Sequence, residues 1–211
     1  MKKLKILLLI LFAVLFVSRT YALPGDELTQ LLNSLHTLQG NFTQTIYNEQ
    51  RKPIQSSYGR VALQRPGKFR WEVIKPIPQV IIANNSRLWI YDPDLEQVTI
   101  RLLNETASEA PALLLSHVNN ALTKKYVIKD LAKKNSPLHW FSLSSKNSSS
   151  MFANIQLGFR QDQIKEMQLE DRLGHLTRIQ FEQIKMNQTI PQSLFNFKIP
   201  RGVDVVDETR R

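Results

Sequence analysis

The sequence predicts a mainly β protein with some α-helix (α+β), built on one strongly curved antiparallel sheet of about eleven strands with helices on one side. Apolar residues alternate with a period of two over most of the chain after Gly40, and short turn signals separate these segments. A leucine-rich stretch with helical spacing precedes this pattern, and a second one interrupts it. The connections are too short for parallel crossovers, so we expect antiparallel pairing.

Residues 1–22 have the pattern of a cleaved secretory signal peptide. Three lysines precede twelve apolar residues, Ile6–Val17, and Ala22 supplies a small residue before the expected cleavage point at Leu23. Twelve residues make about 18 Å of helix, which is short against a hydrocarbon core of about 30 Å. A permanent membrane span is therefore the weaker interpretation. We expect the mature protein in the periplasm, with full secretion as the alternative.

The mature chain, residues 23–211, has the length of one domain and no cysteine. The lack of cysteine excludes a disulfide scaffold, a thiolate metal site and a cysteine nucleophile. Loss of the leader removes four positive residues and lowers the net charge from +10 to +6. A basic surface can bind nucleic acid, an anionic membrane or an acidic protein, but exported proteins rarely meet nucleic acid, so we expect no nucleic-acid partner.

The first predicted element after the leader is an amphipathic helix from Asp26 to Gln39. Its leucines lie on one helical face, at Leu28, Leu31, Leu32, Leu35 and Leu38. Asp26 and Glu27 suit the positive end of the helix dipole, and Gly40 stands where a left-handed residue would end the helix.

Short strands are predicted over the rest of the chain, each centred on alternating apolar residues. In chain order these are Phe42 and Ile46; Phe69, Trp71 and Val73; Val80 and Ile82; Leu88 and Ile90; Tyr126–Ile128; Trp140; Ile155, Leu157 and Phe159; Met167 and Leu169; Thr177, Ile179 and Phe181; and Phe195, Phe197 and Ile199. In the segment 68–71, alternation places Phe69 and Trp71 on one face, which we expect to be buried, and Lys68 and Arg70 on the other.

A second helix is predicted between Ala107 and Thr123, where Pro111 suits the first turn and several leucines follow at helical spacing. Both leucine-rich helices must be buried against the curved sheet. Helices over the mouth of such a sheet leave room for a cavity. The sequence alone leaves open whether that space is packed solid or kept for a ligand.

Motifs for catalysis or metal binding are absent from the sequence. The four histidines, at 36, 117, 139 and 175, do not have the spacing of a metal site, and there is no nucleophile motif, phosphate loop or dinucleotide fingerprint. We therefore expect no metal, no cofactor and no enzymatic activity. A rival hypothesis, an enzyme acting on lipid ester bonds, would need a Ser or His constellation that strand alternation does not provide.

Two long strings, Arg65–Glu72 and Leu88–Thr99, resemble the family of outer-membrane lipoprotein carrier proteins, the LolA family. The likeness extends over essentially the whole mature chain, from the leucine helix and Gly40–Gln44 to Phe195–Pro200 and the Gly202–Val203 end. The second helix departs from the family pattern after Pro111, where Ala112 and Leu113 stand in place of a bulkier start. The absence of an N-terminal cysteine fits the soluble carrier rather than its lipid-anchored receptor, LolB.

This resemblance implies an unclosed antiparallel β-barrel covered by an α-helical lid. It also implies a soluble periplasmic chaperone that takes triacylated lipoproteins from the inner-membrane ABC transporter LolCDE and passes them to the outer-membrane receptor LolB. We expect such a carrier to act as a monomer. The alternative is a periplasmic carrier or sensor of other lipids, or of mislocalised lipoproteins, with the same fold.

The resemblance also suggests a lid latch, Arg65, whose five N–H donors suit carbonyls left unpaired at the end of a lid helix, such as those near Leu115 and Ser116. The alternative is an exposed arginine in a surface turn. The expected lining of the acyl-chain cavity comprises Leu28, Leu32, Leu35, Phe42, Phe69, Trp71, Leu113 and Leu114. Some of these residues can equally be ordinary core, because leucine and phenylalanine at such spacings usually pack.

Overall fold

The computed structural model describes residues 23–84, 86–103, 115–116 and 122–209. The predicted signal peptide lies outside these residues. So does most of the predicted second helix, including Leu113 and Leu114. Within the described residues, no helix has the length and apolar content that a membrane span requires.

Across those residues the chain forms one sheet of twelve strands. They are β1 (Thr37–Tyr47), β2 (Pro53–Gln64), β3 (Lys68–Lys75), β4 (Gln79–Asn84), β5 (Arg87–Asp92), β6 (Gln97–Leu102), β7 (Tyr126–Leu131), β8 (His139–Ser145), β9 (Phe152–Arg160), β10 (Gln163–Asp171), β11 (Leu176–Met186) and β12 (Asp204–Asp207).

The strand order is β12-β6-β5-β4-β3-β2-β1-β11-β10-β9-β8-β7, so β1 lies in the middle and pairs with both β2 and β11. Neighbouring strands are antiparallel except β12, which runs parallel to β6. β12 and β7 form the two edges. The sheet is therefore an unclosed antiparallel barrel, and the predicted fold class is confirmed.

Two α-helices and two 3₁₀ turns accompany the sheet within the described ranges, besides a short 3₁₀ stretch at Leu115 and Ser116. They are α1 (Pro24–Asn33), α2 (Leu122–Lys125) and the 3₁₀ turns Pro93–Leu95 and Gln192–Phe195. α1 has proline at its first turn, with Asp26 and Glu27 near its N-terminus. It ends at Asn33 rather than at Gln39, so the predicted C-terminal boundary is wrong.

Gly40 does not end the helix but lies inside β1, next to a bulge where the pairing of β1 with β11 shifts between Gln39 and Asn41. A Cβ at position 40 would lie 2.4 Å from Ile184 Cδ1 and 2.8 Å from the carbonyl oxygen of Glu182. Glycine is needed here because β11 approaches too closely for a side chain.

The predicted strand over Phe195–Ile199 is also wrong. Phe195 ends the second 3₁₀ turn, and the last strand begins at Asp204. Phe195 is buried against Ala62 and Ile190, and the Phe197 ring centroid lies 5.8 Å from that of Tyr91. The apolar alternation of this segment thus comes from packing on the sheet rather than from pairing within it.

The sheet has an inner face, which bears the main hydrophobic core, and an outer face, which bears Ala62 and the C-terminal segment. Phe69 and Trp71 are buried on the inner face, whereas Lys68 bonds Gln192 of the C-terminal segment and Arg70 pairs with Glu72 on the outer face. This is the predicted division of the segment 68–71 between two faces.

Candidate functional site

Arg65 lies in the turn between β2 and β3, and its side chain reaches across to two other segments. Nε and Nη2 both donate to the carbonyl oxygen of Leu115, at 2.9 and 2.6 Å, and Nη1 donates to the carbonyl oxygen of Leu32. Its backbone N–H donates to the carbonyl of His36 at 2.9 Å. One residue thus ties the β2–β3 turn to α1, to the segment after α1 and to Leu115.

The two acceptors are carbonyls of the kind that helices leave unpaired. Leu32 lies in the last turn of α1, where its carbonyl lacks the usual bond from residue i+4 and instead accepts a long one, at 3.3 Å, from the N–H of Leu35. Leu115 lies in a short 3₁₀ segment with Ser116. A guanidinium presents its donors in a flat, rigid fork, so it can serve two such oxygens at once.

Burial lowers the pKa of Arg65 from its usual range to about 10, because desolvation disfavours its charged form. The group therefore remains protonated at neutral pH. Two carbonyl oxygens replace the water that the guanidinium has lost, and hydrogen bonds from a charged donor are stronger than neutral ones.

Most of the residues expected to line a cavity lie in the packed core of this structure. Each of them is at most 2% exposed and belongs to one cluster: Leu28, Leu32, Leu35, Phe42 and Phe69. Leu115 joins the same cluster, and Ser116 is buried beside it. In this arrangement α1 covers the inner face of the sheet.

An aromatic stack lies at the centre of this core. The ring of Phe42 on β1 lies parallel to that of Trp71 on β3, with centroids 3.5 Å apart. Gly59 on the intervening strand β2 makes room for it, because a Cβ there would lie 2.5 Å from Phe42 Cζ and 2.0 Å from the carbonyl oxygen of Glu72.

A cavity of about 850 Å³ opens beside this stack, on the far side of Trp71 from the Arg65 turn. Of the predicted lining residues that the structure describes, Trp71 alone borders it. About half of its lining is apolar: Ile46, Ile54, Trp71, Val73, Pro76, Ile77, Ile81, Met151, Phe152 and Leu173. The rest is polar and includes Gln44, Ser57, Gln79, Ser148 to Ser150, Asp171, Arg172 and His175. This volume is near the upper end for pockets that enclose a drug-sized molecule.

Four large apolar side chains at the opening are more than half exposed, and we name them the apolar rim. They are Ile54 (61%), Ile77 (64%), Met151 (53%) and Leu173 (70%). They come from four separate stretches: the start of β2, the β3–β4 turn, the residue before β9 and the β10–β11 turn. Several exposed apolar side chains around one cavity are typical of a place where an apolar ligand or partner binds.

The β10–β11 turn that presents Leu173 is fixed by Asp171. Asp171 accepts hydrogen bonds from the backbone N–H groups of Leu173 and His175, at 2.8 and 2.9 Å, and from Nδ1 of His175 at 2.9 Å. Partial burial alone would raise the pKa of Asp171, but these hydrogen bonds outweigh it and hold the pKa below its usual value of 3.8.

A second tie connects this turn to the loop that presents Met151. Arg172 donates from Nε to the carbonyl of Ser150 at 2.9 Å and from Nη2 to the carbonyl of Asn147 at 3.1 Å. Two members of the apolar rim are therefore held in place by polar contacts just outside the apolar surface.

The sequence reasoning missed the apolar rim. Its members are isolated apolar residues among turn formers, such as Ile54 after Pro53 and Ile77 between Pro76 and Pro78. A large aliphatic residue in the middle of a turn has no core to enter, and this is the signal that could have indicated them.

Among the residues that the structure describes, no group of three or more His, Asp or Glu side chains could hold a metal ion. His139 contacts Glu27 and Asp130, His175 contacts Asp171, and His36 lies after α1. His117 lies outside the described residues.

An unclosed antiparallel barrel, with an apolar opening and a helix tied across its inner face, defines a class of binding modules that shelter an apolar ligand. The chain belongs within it to one family, because the profile described as "Outer membrane lipoprotein carrier protein LolA" matches residues 33–198. The resemblance seen in the sequence is thereby confirmed.

Relatives support this membership over nearly the whole chain. A protein of Dechloromonas aromatica (strain RCB) is 39% identical over 184 residues, which cover 87% of each chain. One of Legionella pneumophila (strain Corby) is 38% identical over 208 residues, which cover 99% of this chain and 100% of that one. Both are named outer-membrane lipoprotein carrier protein, which names a carrier and not an enzyme.

A solved structure of low sequence identity shares the fold. An uncharacterized conserved protein from Thermus thermophilus aligns with a TM-score of 0.55 at 13% identity, over 86% of this chain and 99% of that chain.

Proposed function

We propose that this protein is a monomeric periplasmic chaperone for outer-membrane lipoproteins. Residues 1–22 act as a cleaved signal peptide, and residues 23–211 form the single carrier domain. The carrier takes triacylated lipoproteins from the ABC transporter LolCDE and passes them to the receptor LolB. Two observations support this most directly in a member of the LolA family: a partly apolar cavity bordered by Trp71, and a helix packed on the same core that Arg65 ties down.

The energetics of acyl chains explain why such a carrier needs a cavity. Three acyl chains contain on the order of 45 methylenes, and exposing them to water costs about 0.8 kcal/mol each, or roughly 35 kcal/mol in total. That cost prevents free diffusion across the periplasm. An apolar cavity removes most of it without specific contacts, so lipoproteins with different polypeptides can share one carrier.

The cavity seen here is too small for a complete triacyl group, because 850 Å³ is typical of a drug-sized ligand. We infer that α1 moves away from the inner face when cargo enters. The lining then extends from the present cavity to Leu28 and Leu32 on α1 itself, to Leu35, and to Phe42 and Phe69 on the sheet. Leu113 and Leu114, which lie outside the described residues, complete the proposed lining.

Arg65 sets the balance between these two states. Its bonds to the carbonyls of Leu32 and Leu115 stabilise the covered state and therefore oppose cargo binding. A ligand shifts such an equilibrium only by its difference in affinity for the two states. Because the covered state competes with the cargo-bound state, the carrier binds cargo less tightly. The cargo can then pass to a receptor of higher affinity without an energy source.

A release assay tests the proposal. Residues 23–211 are added to spheroplasts that hold a labelled outer-membrane lipoprotein in their inner membrane, and the medium is analysed by native mass spectrometry. We expect the lipoprotein to leave the membrane as a one-to-one complex. Retention of the lipoprotein in the membrane contradicts the carrier function, and recovery of the protein with only free phospholipid or glycolipid identifies a carrier of other lipids.

A further inference from the structure

The segment Ser34–Thr37, which comprises the three residues between α1 and β1 and the first residue of β1, is held by a residue near the opposite end of the sequence. Asn187 follows β11 directly, and its side chain donates from Nδ2 to the carbonyl of Ser34 at 2.9 Å. Its Oδ1 accepts from the backbone N–H of His36 at 2.9 Å and, more weakly, from that of Thr37 at 3.4 Å.

The backbone around Asn187 adds two further bonds to the same segment. The N–H of Asn187 donates to the carbonyl of Thr37 at 2.9 Å, and Thr37 Oγ1 donates to the carbonyl of Gln188 at 2.7 Å. With the bond from the Arg65 N–H to the carbonyl of His36, both backbone polar groups of His36 and of Thr37, and the carbonyl of Ser34, have a tertiary partner.

These contacts explain why α1 ends at Asn33. Its leucine spacing continues to Leu38, and the residue after the helix, Ser34, still has helical angles of φ −68° and ψ −15°. A left-handed glycine, the usual local stop signal, is not what ends it. In a longer helix, the carbonyl of Ser34 and the N–H of His36 would form hydrogen bonds within the helix. Asn187 binds both groups instead, and the helix ends there.

The backbone conformation of Asn187 suits this task. Its φ is +56°, in the left-handed region, which asparagine tolerates better than other residues with a side chain. In that conformation its own N–H and both polar groups of its amide face the Ser34–Thr37 segment. A single asparagine therefore acts as a bridge between the end of β11 and the start of β1.

We propose that Asn187 is a positioning residue that ends the lid helix and fixes the hinge on which it turns. By holding Ser34 to Thr37 on the sheet, it keeps the last turn of α1 in register, so that the Leu32 carbonyl meets Arg65. When α1 lifts, movement begins N-terminal to this anchored segment. The effect on cargo handling rests on the proposed function, whereas the anchoring of the hinge does not.

Asn187→Gly tests the anchoring, because glycine keeps the left-handed backbone and removes only the side chain. The readout is amide hydrogen exchange at His36 and Thr37. We expect it to be about tenfold faster, as for the loss of one or two hydrogen bonds. Asn135→Gly is the matched control, since Asn135 has φ +63° in the β7–β8 turn, is not hydrogen-bonded to the Ser34–Thr37 segment in the described structure, and should leave these amides unchanged.

Asn187→Asp separates the two halves of the amide. Aspartate keeps an acceptor for the N–H groups of His36 and Thr37 but loses the donor to the Ser34 carbonyl. We expect its exchange rates to lie between those of the wild type and Asn187→Gly. Unchanged exchange at His36 and Thr37 in Asn187→Gly would overturn the inference, whatever the protein carries.

Lid motion is measured in the same variants. The chain has no cysteine, so Gln30→Cys on α1 and Glu182→Cys on β11 allow paired spin labels. We expect a broader distance distribution in Asn187→Gly than in Asn135→Gly. If the wild type fails to extract lipoprotein while the hinge responds as described, the proposed function fails and the anchoring stands. Equal distributions overturn the hinge role.

Discussion

Arg65 and Leu115, fifty residues apart, are joined by two hydrogen bonds that share one acceptor: Nε and Nη2 of the guanidinium both donate to the Leu115 carbonyl oxygen, at 2.9 and 2.6 Å. The remaining Nη1 donates to Leu32 in α1. A charged group with three oriented donors thus links parts of the chain that no strand pairing connects. Loss of this group should affect the position of α1 more than the sheet.

Arg65→Leu should loosen α1 without unfolding the protein. Loss of the charged hydrogen bonds to two carbonyls should favour the open state by about 2 kcal/mol, or roughly 30-fold. Lipoprotein should still be bound but passed on poorly, as measured by transfer from purified carrier–cargo complex to a receptor. Arg60→Leu, on an exposed position of β2, is the control. Normal delivery by Arg65→Leu would refute the latch.

Leu173→Asp should weaken binding of a fluorescent long-chain fatty acid at least several-fold, because it places a charge at the opening of the apolar cavity. The side chain is 70% exposed, so the fold should be unaffected. Leu95→Asp is a matched control, since Leu95 is 72% exposed and does not line the cavity. Equal affinities of the two variants would exclude the apolar rim as the entrance.

Gly59→Ala should lower the free energy of unfolding by about 3 kcal/mol, as overpacking at a rigid site does. The added Cβ would meet the Glu72 carbonyl at 2.0 Å, and this backbone oxygen cannot move without breaking the β2–β3 pairing. Urea unfolding measures the loss. Ser56→Ala, at an exposed position of the same strand, should change stability little. A stable Gly59→Ala protein would show that the stack of Phe42 on Trp71 can shift.

The Asp171 carboxyl should titrate below pH 3.8, and His175→Ala should raise its pKa by removing the side-chain hydrogen bond. Because the pKa of Asp171 is depressed in the folded state, its contribution to stability is complete above pH 3.8 and is lost as pH falls through the folded-state pKa. NMR titration of the carboxyl carbon measures both. His139→Ala, which removes the histidine that contacts Asp130, should leave the Asp171 pKa unchanged.

Most strands could be predicted from the sequence because one face of each is buried. Alternation over Phe69–Trp71 and over Ile155–Phe159 predicted β3 and β9, since a period of two places every second side chain in the core. The same reasoning failed at Phe195–Ile199, where apolar residues pack onto the outer face of the sheet without pairing in it. An alternating apolar pattern predicts that every second side chain is buried, but a segment can bury these side chains without pairing in a sheet.

The sequence favoured an apolar cavity as the candidate site, but it did not indicate which residues surround the cavity. Leu28, Leu32 and Phe42 have the character of a cavity lining, yet in this structure they form the packed core, and the open cavity lies among turn residues such as Ile77 and Leu173. Which apolar residues face each other depends on how far the sheet curls. That curvature comes from the register of many strand pairs, which no local pattern specifies.

The sequence by itself determined the leader-like N-terminus, the mainly antiparallel sheet and the leucine face of α1, because each follows from local spacing of apolar, charged and turn-forming residues. Only the tertiary structure decided where α1 ends, what Arg65 holds and where the cavity opens. Asn187 acts on Ser34 from 153 residues away, and Arg65 acts on carbonyls up to fifty residues away. Contacts of that range depend on the folded sheet, so local sequence patterns do not encode them.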